Sequence, residues 1–501
     1  MQLSNCLRTS ILLPLVLLIL VSGCVIQQNP VSGNKRLFGW SWEREVQLGR
    51  EADEQFVAQF GLYEEDEVAE YVRQIGEDML SVSHMRREDT PNRFRETEFT
   101  FRLLDSPVIN AFALPGGYVY VTRGLMAHMN NEAQFAVVMG HEIGHVAARH
   151  ASQRAIRQTI GQIAVIGGAV IGQEVLGLPG GDLLQVSGMA MELLFLSYSR
   201  ENERESDRLG VEYAAMRNYR AAEGAAFFTS LKRISERHGQ VIPNLLSSHP
   251  DPGEREQEIP RQAAEWESAG HSQDRLEEER WLNMISGMIY GENPRDGFER
   301  DGWFNHPNLK FRYAIPDRWS LINQPDQVIL VNEEQSAISR LSMDPEAESP
   351  EQSIQEITAS EEITIVEEGS VNRDGWGAAW ETVARARTED GSPLGLHLFA
   401  LEFDGRIYRF LNYSVEEEFD EKLPEFRQLV RSFERLEDPV LLTIEPVRIA
   451  VTEISRAGQL SEFLPDPIPM GIEPLEIAIM NQVELDEELP AGRLLKIPVQ
   501  P

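Results

Sequence analysis

Two histidines four residues apart, in a largely apolar stretch, constrain the fold more than any other feature of this sequence. They begin and end the segment HEIGH (His141–His145), and the apolar stretch covers residues 135–149. Asn131, followed by Gln134 three residues later, is typical of a helix start. On a helix, residues four apart point the same way, so both imidazoles can reach one metal ion about 2 Å away.

Glu142, the residue after the first of these histidines, lies beside the predicted metal position. Its carboxylate can take a proton from a water molecule there, as a general base does. Zinc suits this set of residues because it polarises carbonyl groups and makes water more acidic. A histidine pair bonded only within the protein is the structural alternative. The apolar setting argues against it, because unpaired polar groups are costly to bury without a metal.

A third metal ligand is needed, and the acidic run 199–207 offers two candidates. Glu203 and Asp207 are four residues apart, so they share one face of a predicted helix. One carboxylate can therefore bind the metal while the other orients a ligand histidine. Taken alone, such a run is more often a solvated helix face.

With the stretch Asn110–Gly117 and the sequence Arg208-Leu209-Gly210 after the second carboxylate, these motifs resemble the HtpX-like and CAAX-prenyl-protease-like zinc metallopeptidases. The resemblance covers about residues 40 to 270 and is greatest to the periplasmic BepA/LoiP type. It implies one zinc ion per chain and a general base at Glu142. Asp207 would support the site, and the zinc ligands would be His141, His145 and Glu203.

The resemblance also implies substrate-binding residues and a further histidine. Residues 110–114 would form an edge strand that pairs with an extended polypeptide. The predicted substrate-binding residues are Asn110, Ala111, Phe112, Ala113 and Arg255. His249 would either approach the zinc as a fourth, blocking ligand or stabilise an oxyanion; the alternative is a loop histidine beside a proline turn. His150 is expected on the surface of the motif helix.

The amino terminus has the features of a lipoprotein signal. Arg8 precedes the apolar run 11–21, and small residues stand before Cys24, as in a bacterial lipobox. We predict a signal peptide over residues 1–23, lipidation of Cys24 and a tether over residues 24–43. An ordinary signal peptide is the alternative. Val25, where an Asp would favour the inner membrane, favours an outer-membrane protein that faces the periplasm.

The remaining sequence predicts an α+β fold in three parts. Residues 44–285 would form a mostly helical, gluzincin-type metallopeptidase domain with a small sheet. Residues 295–437 resemble a PsbP-like α/β module, and residues 440–501 resemble a LysM-like domain, which makes peptidoglycan a candidate partner. The apolar segment 160–172 is expected to be a buried helix or hairpin, with a flap or a membrane-facing segment as the alternative.

The net charge of the chain excludes one class of partner. Forty-six basic residues stand against 81 acidic ones, a formal net charge of −35, so nucleic acid is excluded as a general partner. We predict a lipid-anchored zinc endopeptidase of the periplasm, and the resemblance implies misfolded or stalled envelope proteins as its polypeptide substrates. The alternatives are a chaperone or scaffold lipoprotein, and a protein that is tethered to the cell wall by its tail.

Overall fold

The computed structural model describes residues 25–156, 198–238, 249, 254–360, 362–373, 375–387 and 392–501. These residues form a largely helical amino-terminal part, a β-rich middle part and a small carboxy-terminal part. The predicted signal peptide, the predicted lipidation site Cys24 and the apolar segment 160–172 lie outside the described residues. No helix in the described ranges is both long and apolar enough to span a bilayer.

The amino-terminal part packs helices around a small mixed sheet. The strands of this part are β1 (Val25–Gln28), β2 (Lys35–Phe38), β3 (Thr100–Leu104), β4 (Ala111–Leu114) and β5 (Tyr118–Thr122). The mixed sheet contains β3, β4 and β5, whereas β1 and β2 form a separate pair. Its helices are α1 (Trp42–Phe60), α2 (Asp66–Val82), α3 (Asn92–Arg95), α4 (Arg123–Ala127), α5 (Glu132–Ala148), α6 (Arg200–Met216), α7 (Gly224–His238), α8 (Arg255–Ser268) and α9 (Glu278–Ile285). β5 lies between β3, which is parallel to it, and β4, which is antiparallel.

Helix α5 is the centre of this part because all of its residues are buried. It begins as the sequence predicts, with the Asn131 side chain accepting a hydrogen bond from the Gln134 amide at 2.9 Å. It ends at Arg149, whose φ of 59° is left-handed. One large apolar cluster surrounds the helix and joins it to α2, α6 and α9.

Residues 25–38 differ from the predicted tether. β1 and β2 pair as an antiparallel hairpin, and the Asn29 side chain in the connecting turn donates to Ala148 O at 2.8 Å. Arg149 is buried and donates to Gln27 and to Glu45. Polar contacts therefore fix the hairpin to the carboxyl end of α5. Sequence periodicity does not reveal contacts of this kind.

The middle part is built on a seven-stranded antiparallel sheet in the order β12-β13-β14-β15-β11-β10-β9. Its strands are β9 (Trp319–Asn323), β10 (Gln327–Asn332), β11 (Ala337–Met343), β12 (Ile363–Ser370), β13 (Ala379–Arg387), β14 (Pro393–Phe403) and β15 (Arg406–Val415). Helices α10 (Pro350–Thr358) and α11 (Glu416–Ser432) cover the sheet. Phe399 packs with α11 and Leu398 with α10, so the two helices lie on opposite faces. A second sheet contains β6 (Phe298–Arg300), β7 (Trp303–His306), β8 (Phe311–Ala314) and β16 (Glu434–Arg435).

The carboxy-terminal part contains two short strand pairs and packs on the amino-terminal part. Its elements are α12 (Pro439–Leu442), β17 (Arg448–Glu453), β18 (Gly458–Gln459), α13 (Pro474–Met480), β19 (Glu488–Leu489) and β20 (Leu494–Val499). β17 pairs with β20, and β18 with β19. Gln482 bonds the Gln134 side chain near the start of α5, and the Lys496 ammonium donates to Ala127 O and Met129 O. The predicted α+β fold class is confirmed.

Candidate metal centre

Helices α5 and α6 cross closely, and glycines at the crossing make this approach possible. A Cβ built on Gly210 would lie 2.6 Å from Val137 O, and one on Gly140 would lie 3.0 Å from the Gly210 Cα. The first distance is too short for any side chain, and the second is tight enough that the neighbouring helix would have to shift. The crossing brings the carboxylates of α6 against the histidines of α5.

Four donor atoms converge at this crossing, from His141, His145, Glu203 and His249. The His141 Nε2 lies 3.0 Å from the His145 Nε2 and 3.3 Å from the His249 Nδ1. The Glu203 Oε1 lies 3.4 Å from the His145 Nε2 and 3.2 Å from the His249 Nδ1. Tetrahedral ligands at about 2.0–2.1 Å from zinc lie about 3.3 Å from one another. The donor set and its spacing therefore fit zinc.

The fourth member of the set is the predicted blocking histidine. His249 is buried, and its Nδ1 would be a fourth ligand to a zinc ion held by this set, at a position that catalytic zinc sites keep open. Its Nε2 lies 3.7 Å from the Glu142 Oε1 and has no hydrogen-bond partner within the described part of the chain. The residues on either side of His249, residues 248 and 250, lie outside the described residues.

Glu142 has the surroundings of a proton-transferring group. It is 1% exposed, and neither carboxylate oxygen has a hydrogen-bond partner among the residues that the structure describes. Burial raises the pKa of Glu142, an effect that nearby His249 and His141 only partly oppose. A carboxylate with a raised pKa can both take a proton and return it near neutral pH.

Asp207 and Arg255 support the ligands from behind. The Asp207 Oδ1 lies 2.9 Å from the His141 Nδ1, and Arg255 donates to Asp207 at 2.8 Å and to Glu203 at 2.7 Å. Burial alone would raise the pKa of Asp207, but Arg255 and His141 outweigh it and hold this pKa at about 2. Asp207 is therefore a charged group that orients His141.

Arg255 thus differs from its predicted role as a substrate-binding residue. Its guanidinium is buried between the two carboxylates and lies 4.4 Å from the centre of the Phe228 ring. In this position it offsets the charge of the ligand carboxylate rather than facing the edge strand. The sequence motifs do not predict this contact, because it joins two separate helices, α8 and α6.

Two residues near His145 were not identified from sequence as part of the site. His150, expected on the helix surface, is instead fully buried, and its Nδ1 lies 3.1 Å from the His145 Nδ1. The ring of Tyr198 lies 4.0 Å from that of His145, centre to centre. The left-handed residue Arg149 turns the chain back after α5, so the i, i+4 rule fails for His150.

Strand β4 is an edge strand among the described residues, as predicted. Asn110 O accepts a hydrogen bond from Thr122 N on β5 at 3.1 Å. Because paired residues alternate, Phe112 also pairs with β5, whereas the main-chain groups of Ala111 and Ala113 face the outer edge. The Phe112 side chain packs in a separate apolar cluster, and the buried Asn110 side-chain oxygen has no hydrogen-bond partner among the described residues.

Comparison with known proteins assigns the region that carries the site to a family. Residues 67–263 match Peptidase family M48. The beta-barrel assembly-enhancing protease of Escherichia coli (strain K12) is 28% identical over 218 residues, which are 42% of each chain. The mitochondrial metalloendopeptidase OMA1 of Bos taurus is 28% identical over 257 residues, 47% of this chain and 46% of OMA1. The chain thus spans less than half the length of these relatives.

The predicted resemblance to zinc metallopeptidases is confirmed for residues 67–263 by this family match, and the buried donor set in that region could hold one metal ion. Among solved structures, cyanobacterial PsbP (CyanoP) from Synechocystis sp. PCC 6803 matches 26% of this chain and 91% of that chain. The sequence identity is 10% and the TM-score is 0.23. At this TM-score the likeness carries no argument, and the PsbP-like character of residues 295–437 stays a prediction.

Proposed function

Because residues 67–263 match Peptidase family M48, we propose that this protein is a zinc-dependent endopeptidase that cleaves polypeptides in the bacterial envelope. Four buried donor atoms converge beside a buried carboxylate that has no hydrogen-bond partner in the described ranges, and this convergence carries the proposal. His141, His145 and Glu203 are the ligands. Glu142 is the general base.

Zinc held by these ligands would supply a Lewis acid that polarises the peptide carbonyl and acidifies the attacking water. Glu142 takes a proton from that water and delivers it to the amine that leaves. Its raised pKa suits both directions of transfer. Asp207 and Arg255 hold the ligand side chains in position, since each bonds a ligand directly.

An extended substrate would add a strand to β4. The outward main-chain groups of Ala111 and Ala113 can form ladder hydrogen bonds with any sequence, because such bonds do not involve side chains. The side-chain oxygen of Asn110, which has no hydrogen-bond partner among the described residues, would offer one more acceptor if the substrate main chain reached it. This mode of binding favours unfolded segments, which agrees with misfolded or stalled envelope proteins as substrates.

His249 would keep the enzyme latent in the described conformation. Its Nδ1 takes the place that water and the substrate carbonyl need, so His249 must move away before cleavage. A substrate or partner that displaces His249 would therefore activate the enzyme. The alternative role, stabilising an oxyanion, would also need a displacement of the ring.

Lipidation of Cys24 would anchor the protein, with the outer membrane and the periplasmic side favoured by Val25. The names of the relatives support an envelope protein, since the relative in E. coli is called a beta-barrel assembly-enhancing protease. Peptidoglycan binding by the LysM-like tail belongs to the same proposal and rests on the sequence pattern alone.

The decisive experiment compares Glu142→Gln with the unchanged protein. Both should bind one zinc per chain, and only the unchanged protein should cleave casein or an unfolded envelope protein. Zinc content and initial cleavage rates on residues 25–501 measure the two properties. A folded protein without zinc would contradict the proposal. If Glu142→Gln still performed the cellular function, a chaperone or scaffold role would replace proteolysis.

A further inference from the structure

We propose that His150 and Glu205 form a positioning pair that fixes the ring and the proton of the ligand His145. The inference rests on the proposed zinc site and extends it to two residues that its motif does not include. His150 lies outside the HEIGH segment, yet it is fully buried in direct contact with His145. Glu205 is partly exposed on α6.

The two contacts of His150 determine where its proton is. The His145 Nε2 faces the other donors, so His145 carries its proton on Nδ1 when the metal is bound. That Nδ1–H donates to the His150 Nδ1 at 3.1 Å, which must then be an acceptor. The His150 proton is therefore on Nε2, where it donates to the Glu205 Oε2 at 3.1 Å. One chain of donors and acceptors thus runs from Glu205 to His145.

The fold holds this chain rigidly on both sides. Arg149 adopts its left-handed conformation while it donates to buried Glu45, and this turn places His150 beneath His145. Ser206 follows Glu205 on α6, and its hydroxyl lies 3.4 Å from the His150 Nδ1. The His150 Nε2 needs no other acceptor, because the Glu205 carboxylate accepts its hydrogen bond.

His145 and His141 are therefore supported by different chemistry. A carboxylate oxygen of Asp207 lies 2.9 Å from the His141 Nδ1 as an ion-pair contact, whereas a neutral imidazole accepts from His145. Hydrogen-bond partners of this kind orient a ligand and raise its basicity, and their loss typically lowers metal affinity about 10- to 100-fold. We expect a loss in this range for His150.

The test measures zinc affinity by competition with a chromophoric chelator on residues 25–501. His150→Leu removes the acceptor, and we expect about 10- to 100-fold weaker binding. His150→Gln keeps an acceptor and should lose less. Glu205→Gln should also weaken binding, because it removes the charge that fixes the proton on Nε2. The absorption bands of the cobalt-loaded protein should shift in His150→Leu, since the ligand field of His145 changes.

His84→Leu is the matched control. His84 is a buried histidine whose Nδ1 lies 2.9 Å from the hydroxyl of Tyr213, on the same helix as Glu203. It should lower thermal stability and leave zinc affinity and the cobalt spectrum unchanged. If it weakened zinc binding as much as His150→Leu does, a general structural effect would explain both and the inference would be overturned.

Unchanged affinity in folded His150→Leu would also overturn the inference while leaving the peptidase proposal intact. If that variant did not fold, His150→Gln and Glu205→Gln would decide, and unchanged affinity in both would count against it. An unchanged protein that bound no zinc would overturn the proposed function itself, and the positioning pair with it.

Discussion

His249 is the residue whose contacts decide whether the described site can act. It bonds or approaches three of the residues proposed as metal ligands or general base, and its Nδ1 occupies the place that a substrate carbonyl would need. His249→Ala should therefore raise kcat/KM on casein several-fold at unchanged zinc stoichiometry. His271→Ala, which alters a histidine in edge-to-face contact with Trp266 and outside the donor set, should leave kcat/KM unchanged.

A fall in kcat with zinc retained would contradict the blocking role of His249. It would favour the oxyanion role, because removal of a donor to developing charge lowers the rate of the chemical step. Initial rates over a range of casein concentrations separate kcat from KM and distinguish the two roles.

Sequence predicts the site well at the scale of residues where spacing on a helix encodes it. The four-residue spacing of His141 and His145, and of Glu203 and Asp207, is sufficient for both pairs. It fails for His150 because the left-handed turn at Arg149 ends the helix periodicity. It also fails for the contacts of Arg255, which depend on how two distant helices pack.

The close crossing of α5 and α6 is the element on which the metal centre depends. Gly210→Ala would place a Cβ 2.6 Å from Val137 O, so the helices must separate. Overpacking of this kind costs about 1–3 kcal/mol, and the shift would move Glu203 relative to His141. We expect a lower melting temperature and weaker zinc binding, measured by calorimetry and chelator competition.

Gly369→Ala provides the control for that crossing. Gly369 lies in β12, and a Cβ there meets nothing within 4 Å. It should change neither stability nor zinc binding appreciably. Equal zinc affinity in Gly210→Ala and the unchanged protein would show that the ligand geometry does not depend on this contact.

The outer edge of β4 gives a second prediction for an element. Ala113→Pro removes a main-chain N–H that faces outward and is not needed in the ladder with β5. We expect a higher KM for extended peptides, an unchanged zinc content and a retained fold. Val366→Pro, at a bulge in the edge strand β12, is the control and should not affect peptide cleavage. An unchanged KM in Ala113→Pro would argue against strand addition at β4.

At the same scale, the sequence predicts the hairpin of β4 and β5 but not that of β1 and β2. Alternating apolar residues and the Pro-Gly-Gly turn mark the first. The second is polar, and its position depends on Arg149 and Asn29, whose partners are more than 100 residues distant. Local pattern cannot reveal an element that distant polar contacts stabilise.

For the whole molecule, the carboxy-terminal part is attached to the amino-terminal part by buried polar contacts. Lys496 is 0% exposed, and its ammonium donates to Ala127 O at 2.7 Å and to Met129 O at 2.8 Å. Gln482 donates to Gln134 and to His128 O close by. A tail that served only to hold the protein on the cell wall would not need such contacts, so it should also stabilise the amino-terminal part.

The ammonium of Lys496 makes this attachment dependent on pH. Burial lowers the pKa of Lys496 well below the ordinary value of lysine, about 10.4. Between these two pKa values the unfolded chain binds more protons than the folded chain, so the free energy of unfolding rises with pH. The cost of burying Lys496 is greatest below its folded pKa and disappears as pH rises through about 10.4.

Lys496→Met keeps the length of the side chain and removes this titration. Between pH 7 and pH 9.5, the unchanged protein should gain stability relative to Lys496→Met, by up to about 1.4 kcal/mol per pH unit. Urea unfolding at both pH values measures the difference, and Lys35→Met, at an exposed position on β2, should show no such change. A constant difference between the unchanged protein and Lys496→Met would mean that Lys496 keeps its proton equally in both states. The two carbonyl oxygens would then stabilise a buried charge, and the tail would be attached by an ion–dipole contact that pH does not weaken in this range.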